Sequence, residues 1–161
     1  MTGAFDDLGK QPKAGGPGAA LWRAANRWQR LQRDLLEPFH LTPVQYLLLS
    51  GLDGMTGGDP VYQAELATHC GVDGMSTSQQ VRELEQKGLV RRDPHPGDRR
   101  ALSITPTEQG RQLVNRVAPA MAEAERSFFA VLGPNAEAFA LALALLNGEK
   151  PRHRVAAIQA T

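Results

Sequence analysis

The chain has few of the features that stabilise secreted proteins or anchor proteins in membranes. Its 161 residues include one cysteine, Cys70, so no disulfide can form within the chain, as is usual for a cytoplasmic protein. The longest uninterrupted apolar stretch, residues 138–146, has nine residues, against the roughly 20 that cross a bilayer. The N-terminus also lacks the apolar segment of a secretory signal. We therefore expect a cytoplasmic protein without a membrane partner.

Groups that perform catalysis or bind metals are equally sparse. The four histidines show no metal-ligand spacing, and His69 directly precedes Cys70, a spacing that sends the two side chains apart on a helix. The sequence has no glycine-rich phosphate-binding loop. We therefore predict no catalytic residue, no metal and no cofactor, and a small enzyme is the weakest functional alternative.

The distribution of charge is more informative than its total. The formal net charge is only +1. Residues 74–105, however, contain six basic and four acidic side chains, and the excess lies beside the turn at residues 94–97. Such a cluster favours contact with phosphate groups, although short charged stretches are also common on ordinary solvated surfaces.

Apolar periodicity predicts helices towards both ends of the chain. Residues 19–37 place apolar side chains at steps of three and four with arginines opposite, which is typical of an amphipathic helix. Thr42-Pro43-Val44-Gln45 is a capping box that opens a second helix, which we expect to end at Gly54. A long helix follows Thr107, and a last one ends at Gly148.

Two short helices are predicted in the middle of the chain. Asp59 as N-cap and Pro60 as first helical residue open a third helix that ends at Gly71. Asp73 can cap a fourth helix over residues 74–87. The two helices are joined by only about three residues, which is the helix-turn-helix arrangement whose second helix fits the major groove of DNA.

A β-hairpin is predicted directly after the helix pair. Beyond Gly88 the apolar pattern changes to the period of two that is typical of strands. Residues 89–92 and 101–105 are the predicted strands, and residues 93–100 form a tip rich in proline, glycine and aspartate. This hairpin is called the wing below.

Two groups of side chains are candidates for DNA contact. On the outer side of the fourth helix, glutamine can pair with adenine and arginine with guanine, although a solvated helix face is the alternative. At the wing tip, Arg100 suits a narrow minor groove, Asp98 can hold the Arg100 side chain by an ion pair, and Arg99 can reach a phosphate. The alternative there is an exposed salt bridge. The candidate helix residues are Ser76, Thr77, Ser78, Gln79 and Arg82.

From about Leu41 to Leu146 the sequence resembles the MarR family of bacterial winged-helix regulators. The resemblance rests on Leu41-Thr42-Pro43-Val44-Gln45-Tyr46, Glu65-Leu66-Ala67, Leu84-Glu85-Gln86-Lys87-Gly88-Leu89-Val90-Arg91-Arg92, Asp98-Arg99-Arg100-Ala101, Leu102-Ser103-Ile104-Thr105-Pro106 and Gly110. It implies a homodimer built from the first and last two helices, a recognition helix in the major groove, and Arg100 in the minor groove positioned by Asp98. It also implies that many members repress their targets and release DNA when a small, often aromatic acid binds between the dimer helices and the winged domain.

Two positions depart from the family pattern. Many members carry Thr-Arg where this chain has Ser78-Gln79, so an arginine contact to a base does not transfer. The family's peroxide sensors have a reactive cysteine in the first helix, whereas Cys70 lies at the end of the third predicted helix, and we expect a small buried residue there.

We therefore predict a mostly α fold with a small β-hairpin wing. A winged helix-turn-helix DNA-binding domain is expected at residues 41–105, and a helical dimerisation region at residues 19–40 and 106–148. Residues 1–18 are expected to be a flexible tail and residues 149–161 a loose C-terminal tail.

The predicted function is that of a MarR-type DNA-binding transcriptional regulator. We expect a ligand-responsive repressor that binds an inverted-repeat operator as a homodimer, because the terminal helices carry more apolar surface than one small domain can bury. The candidate site for a small aromatic acid includes Trp22, Arg23 and Tyr46, on helices that border the family's pocket. The main alternative is a winged-helix module that binds proteins without sequence-specific DNA binding.

Overall fold

A computed structural model describes residues 15–56, 60–95 and 97–149. The predicted tails at residues 1–18 and 149–161 fall mostly outside this part of the chain. The described residues divide into two compact units, a larger one up to residue 124 and a smaller one from residue 125.

The architecture is mostly helical with one small antiparallel sheet, as predicted. The helices are α1 (Pro17–Leu36), α2 (Pro43–Thr56), α3 (Gln63–Cys70), α4 (Gly74–Gln86), α5 (Glu108–Phe129) and α6 (Ala136–Leu146), and the strands are β1 (Val61–Tyr62), β2 (Val90–His95) and β3 (Asp98–Pro106). Short 3-10 turns follow α1 at Glu37–Phe39 and α5 at Ala130–Asn135. The sheet order is β1-β3-β2.

The starts of the first two helices agree closely with the sequence patterns. α1 begins at Pro17, so residues 17 and 18 belong to the helix rather than to the predicted tail. At α2, the Gln45 backbone N–H donates to Thr42 Oγ1 over 3.2 Å, and the Thr42 N–H donates to Gln45 Oε1 over 3.3 Å. This reciprocal pair confirms the capping box. The helix then continues through Gly54 to Thr56.

The start of the third helix was predicted wrongly. Val61 and Tyr62 form strand β1, which pairs with Ile104 and Ser103 of β3, and the helix begins only at Gln63. Asp59, the predicted N-cap, lies outside the described residues. Proline and a β-branched valine suit the beginning of an edge strand as well as the first turn of a helix. The pairing with β3 decides between the two.

The helix-turn-helix itself is confirmed. Gly71 ends α3 with φ 64°, a left-handed conformation that favours glycine. Asp73 then caps α4, because its Oδ1 accepts the Ser76 backbone N–H over 2.9 Å. α4 ends at Gln86, and Gly88 follows with φ 72°.

The wing is longer than predicted. The strands extend into the predicted tip: Pro94 pairs with Leu102, and after a local irregularity His95 pairs with Asp98. Proline is tolerated here because β2 is an edge strand whose outer N–H positions need no partner. The irregularity is large, because residues 99–101 of β3 lie between the partners of two adjacent β2 residues.

The larger unit has one apolar core, to which most of its elements contribute. Its buried side chains include Leu36, Leu48, Leu49, Leu52, Leu66, Val81, Leu84, Ile104 and Val117. α5 crosses the end of the α4–β2 connection so closely that a Cβ atom on Gly110 would lie 2.1 Å from the Leu89 carbonyl oxygen. Only glycine permits this approach. The start of α5 is thereby held against the winged domain.

The smaller unit contains an aromatic cluster and exposed aliphatic side chains. Phe128 and Phe129 form an edge-to-face pair with ring centroids 5.0 Å apart, and Phe129 lies 6.1 Å from Phe139. Val131, Leu141, Leu145 and Leu146 are exposed. Much of the apolar surface of α6 is therefore not covered within the described chain.

One helical run, Glu108–Leu146, meets the length and composition criterion for a membrane span, and its apolar window is unburied in the described chain. The run is interrupted, because Gly133 has non-helical backbone angles and Pro134 follows it. α6 alone has 11 residues, about 16 Å at 1.5 Å per residue, against about 30 Å of bilayer hydrocarbon. The uninterrupted apolar helix is thus about half the length that a span requires.

Candidate nucleic-acid interface

The outer side of α4 presents most of the predicted contact residues together. Val81 and Leu84 are buried and fix α4 on the core, so the opposite side faces solvent. Gln79 and Arg82 are exposed, and Ser76 and Ser78 are half-buried beside them. Arg82 Nη2 donates to Ser78 Oγ over 3.0 Å, one helical turn away.

Thr77 requires a correction. Its side chain is 0% exposed, and its hydroxyl donates to the Asp73 carbonyl over 2.9 Å. A threonine hydroxyl at this position satisfies the first turn of the helix instead of reaching outward. We therefore remove Thr77 from the candidate DNA contacts.

Gln79 is attached to a polar network that the sequence analysis missed. Its Nε2 donates to Glu83 Oε1 over 3.3 Å, and Glu83 Oε2 accepts from Gln45 Nε2 over 2.7 Å. Lys87 Nζ donates to Gln45 Oε1 over 2.7 Å. The four-residue spacing of Gln79, Glu83 and Lys87 was a usable signal for contacts along one helix face. The sequence held no signal for the contact from Gln45 on α2, because Gln45 fits the pattern of a capping residue only.

Asp98 and Arg100 also interact differently from the prediction. Asp98 Oδ1 accepts the backbone N–H of Arg100 over 2.9 Å, so the carboxylate fixes the backbone of the tip rather than the guanidinium. Arg100 is exposed near the beginning of β3. The Arg99 side chain lies outside the described part of the chain.

Two further arginines of the wing are engaged within the protein. Arg91 Nε lies 2.6 Å from Asp93 Oδ2, and Arg92 Nε donates to Glu85 Oε2 over 2.7 Å. The second pair joins β2 to α4 and is partly buried. The wing and the outer side of α4 are therefore held in one arrangement by a charge-assisted contact.

Two of the three predicted ligand residues border the same cleft. Trp22, which is 72% exposed, and Arg23 border an open cleft of about 460 Å³ along α1. Tyr46 is half-buried against the core of the winged unit.

Two other cavities combine an aromatic ring with an arginine. One of about 430 Å³ lies between α1 and α2, with Trp28 and Arg33 in its lining. A larger one of about 650 Å³ is lined by Phe39, Lys87 and Arg116 among others, and the Arg116 guanidinium lies 5.3 Å from the Phe39 ring centroid. The described lining of the larger cavity contains cations and no acidic side chain, so its chemistry suits an anion with a flat apolar part.

Cys70 is half-buried, whereas we expected a small buried residue. Its Sγ donates to the Leu47 carbonyl over 3.6 Å, and burial raises the pKa of the thiol. A thiol that ionises reluctantly is a poor nucleophile and a poor redox sensor. Within the described residues no three His, Cys, Asp or Glu side chains are grouped so that they could hold a metal ion.

The comparisons with known proteins agree with this geometry. Residues 40–101 match the family model described as MarR family. The uncharacterized HTH-type transcriptional regulator YdcH of Bacillus subtilis (strain 168) is 36% identical over 115 residues, which are 71% of this chain and 78% of that protein.

Solved structures share the fold along nearly the whole chain. The transcriptional repressor CouR, bound to a 23-mer DNA duplex, is 27% identical with a TM-score of 0.72, over 87% of this chain and 100% of that one. BpsR of Bordetella bronchiseptica is 20% identical with a TM-score of 0.75, over 88% of this chain and 99% of that one. At this identity the similarity concerns the fold alone. On the relative, the family model and the winged helix-turn-helix together, the chain belongs to the MarR family of transcriptional regulators.

Proposed function

We propose that this chain is a ligand-responsive transcriptional repressor that binds an inverted-repeat operator in duplex DNA, in the cytoplasm, as a homodimer. The observation that carries the proposal is the Arg92–Glu85 contact, which holds the outer side of α4 and the wing in one arrangement. A duplex offers a major groove beside a minor groove, and such a pair of elements suits both. CouR, a repressor bound to DNA, supports the same activity here.

In the proposed complex, α4 reads base edges and the wing tip anchors the minor groove. Gln79 and Arg82 supply the hydrogen-bonding groups for bases, and Ser76 and Ser78 can donate to phosphates. Arg100 enters the minor groove, where a narrow groove attracts guanidinium groups.

We assign DNA binding to residues 41–105 and dimerisation to residues 19–40 and 106–148. Exposed apolar side chains are frequent in the dimerisation region, and a second copy would cover them with the same residues. They are Leu21, Trp22, Val131, Leu141, Leu145 and Leu146. A two-fold axis sets two recognition helices about one turn of DNA apart, which requires an inverted repeat. Sedimentation at micromolar concentration is expected to give a dimer.

The proposed effector is a small aromatic acid. Trp22, Arg23 and Tyr46 remain candidates in the dimer, where a second chain can complete the cleft along α1. The cavity beside Arg116 and Phe39 is a second candidate, because it offers cations and an aromatic ring together. The fold relative BpsR supports the ligand class, since its DNA binding is described as regulated by 6-hydroxynicotinic acid.

A mobility-shift titration of duplex DNA at several salt concentrations tests the proposal. Arg100→Ala is expected to weaken binding and to lower the salt slope by roughly one, because one phosphate-region cation is lost. Arg91→Ala is the matched control, since Arg91 lies in the same wing but is paired with Asp93. If Arg100→Ala leaves affinity and slope unchanged, the wing does not contact DNA. Absence of salt-dependent duplex binding by the unaltered protein would favour the protein-interaction alternative.

A further inference from the structure

We propose that Gln45, buried beneath the recognition helix, is a positioning residue that sets how Gln79 presents its amide to a base. The proposal rests on the proposed function, since it assumes that α4 reads duplex DNA. Gln45 acts through Glu83, and none of its own atoms needs to touch DNA.

The Gln45 amide has one fixed orientation. Its side chain is 1% exposed. Its Oε1 accepts from Lys87 Nζ over 2.7 Å and from the Thr42 backbone N–H over 3.3 Å, while its Nε2 donates to Glu83 Oε2 over 2.7 Å. Rotating the amide by 180° would place its NH2 group against the two donors, Lys87 Nζ and the Thr42 N–H, and its oxygen against the Glu83 carboxylate. The buried amide therefore points its N–H at Glu83.

Glu83 transmits this orientation to Gln79. One carboxylate oxygen is occupied by Gln45, and the other, Oε1, accepts from Gln79 Nε2 over 3.3 Å. A flipped Gln79 would bring its own carbonyl oxygen against the carboxylate, which is repulsive. The bond to Glu83 uses one N–H of Gln79, so its Oε1 and second N–H remain as the acceptor and donor that adenine requires.

Helix capping alone does not need the contact from Gln45 Nε2 to Glu83. The capping box uses the backbone N–H and Oε1 of Gln45, and Lys87 has a second acceptor in the His40 carbonyl at 2.6 Å. Without the Gln45 amide, Glu83 can turn to Lys87, its oppositely charged neighbour four residues later on the same helix. Gln79 would then lose its fixed partner. The contact across two helices therefore has a consequence for reading DNA.

The experiment measures base discrimination rather than affinity alone. A duplex is selected from a randomised library with the unaltered full-length protein, and binding is then measured to that duplex and to each single-base-pair substitution. Gln45→Leu is expected to reduce discrimination about 3- to 10-fold at one base-pair position of each half-site, which is part of what a bidentate contact provides. The salt slope and the discrimination at other positions are expected to stay unchanged.

A double-mutant cycle separates positioning from a merely structural role. In the Gln79→Ala background, Gln45→Leu is expected to leave discrimination at that base-pair position unchanged, since its effect passes through Gln79. An effect that persists in this background, or an equal loss of affinity for all duplexes, overturns the proposal. Gln45→Glu is the second variant, because it keeps both acceptor roles and replaces the donor towards Glu83 with a carboxylate that, when ionised, repels Glu83. It is expected to show the same loss. If the unaltered protein binds no duplex, the proposed function fails instead.

Discussion

The Asp98 carboxylate accepts a hydrogen bond from the Arg100 backbone N–H over 2.9 Å at the tip of the wing. The two residues therefore interact through the backbone of Arg100, and its guanidinium is left to extend from an exposed turn. A carboxylate that bonds a backbone N–H two residues later stabilises a tight turn. The direction in which Arg100 leaves the wing is thus set by the turn.

Asp98→Ala is expected to weaken duplex binding about 2- to 10-fold relative to Asp98→Asn, since one hydrogen bond contributes about 0.5–1.5 kcal/mol. Both substitutions remove the same negative charge near the proposed DNA surface, so the comparison isolates the acceptor oxygen. Fluorescence anisotropy with a labelled duplex measures both. Equal affinities for the two variants would show that the turn does not position Arg100.

Gly110→Ala is expected to lower the free energy of unfolding by about 2–3 kcal/mol, as is typical of overpacking in a core. Its Cβ would lie 2.1 Å from the Leu89 carbonyl oxygen, a backbone atom that cannot turn aside. Gly74→Ala is the control, because nothing lies within 4 Å of its Cβ position at the start of α4. That variant is expected to be about 0.4–1 kcal/mol more stable than the unaltered protein. Urea denaturation of the three proteins measures both changes, and a stable Gly110→Ala protein would contradict the close approach.

Sequence patterns identified those parts of the fold that depend on local chemistry. The capping box at Thr42 and Gln45, the cap at Asp73 and the left-handed glycines at 71 and 88 all use groups within a few residues of each other. Such motifs can be recognised without knowing the rest of the fold. The helix-turn-helix and the wing followed from them.

Features that depend on partners far along the chain were missed or misread. β1 exists because Val61 and Tyr62 pair with β3, some forty residues later in the chain, so its local sequence was compatible with a helix start. The bond from Gln45 to Glu83 joins residues that are 38 positions apart. Thr77 was assigned wrongly, since it lies four residues before Val81 and seven before Leu84, on the core-facing side of α4. Its hydroxyl donates to the Asp73 carbonyl of the preceding turn.

The cap at Asp73 predicts a pH dependence of stability. Hydrogen bonds from the Ser76 side chain and then from its backbone lower the pKa of Asp73 below its ordinary value. A lowered folded-state pKa stabilises the folded protein above the unfolded pKa of about 3.9, and this contribution is lost as pH falls through the folded value. Asp73→Asn keeps a capping acceptor without the titration. The stability difference between the two proteins is expected to be constant from about pH 8 to 5 and to change below about pH 4. Parallel curves throughout would contradict this.

Cys70 is expected to react slowly with a thiol reagent. Burial raises its pKa, so little thiolate is present at pH 7, and its Sγ is directed at the Leu47 carbonyl. The release of thionitrobenzoate from Ellman's reagent should be several times slower in the folded protein than in denaturant at the same pH. The rate in the folded protein should rise with pH. Rapid labelling of the folded protein at pH 7 would indicate a reactive thiol.

Arg116→Gln tests the cavity beside Phe39 as a site for an aromatic acid. The Arg116 guanidinium lies 5.3 Å from the Phe39 ring centroid, and Lys87 contributes a second cation to the same lining. A carboxylate should bind there by charge, with its ring against apolar side chains. Benzoate is therefore expected to raise the melting temperature of the unaltered protein by mass action, whereas the neutral isostere benzamide is not.

The substitution should reduce the benzoate-induced shift and leave the melting temperature without ligand nearly unchanged, since glutamine keeps much of the arginine side chain's length. Arg33→Gln is the matched control for the smaller cavity between α1 and α2. If Arg33→Gln alone abolishes the shift, the acid binds between α1 and α2. An unchanged shift in both variants would leave the cleft along α1 that includes Trp22 and Arg23 as the site to examine, because a second chain can complete it in the proposed dimer.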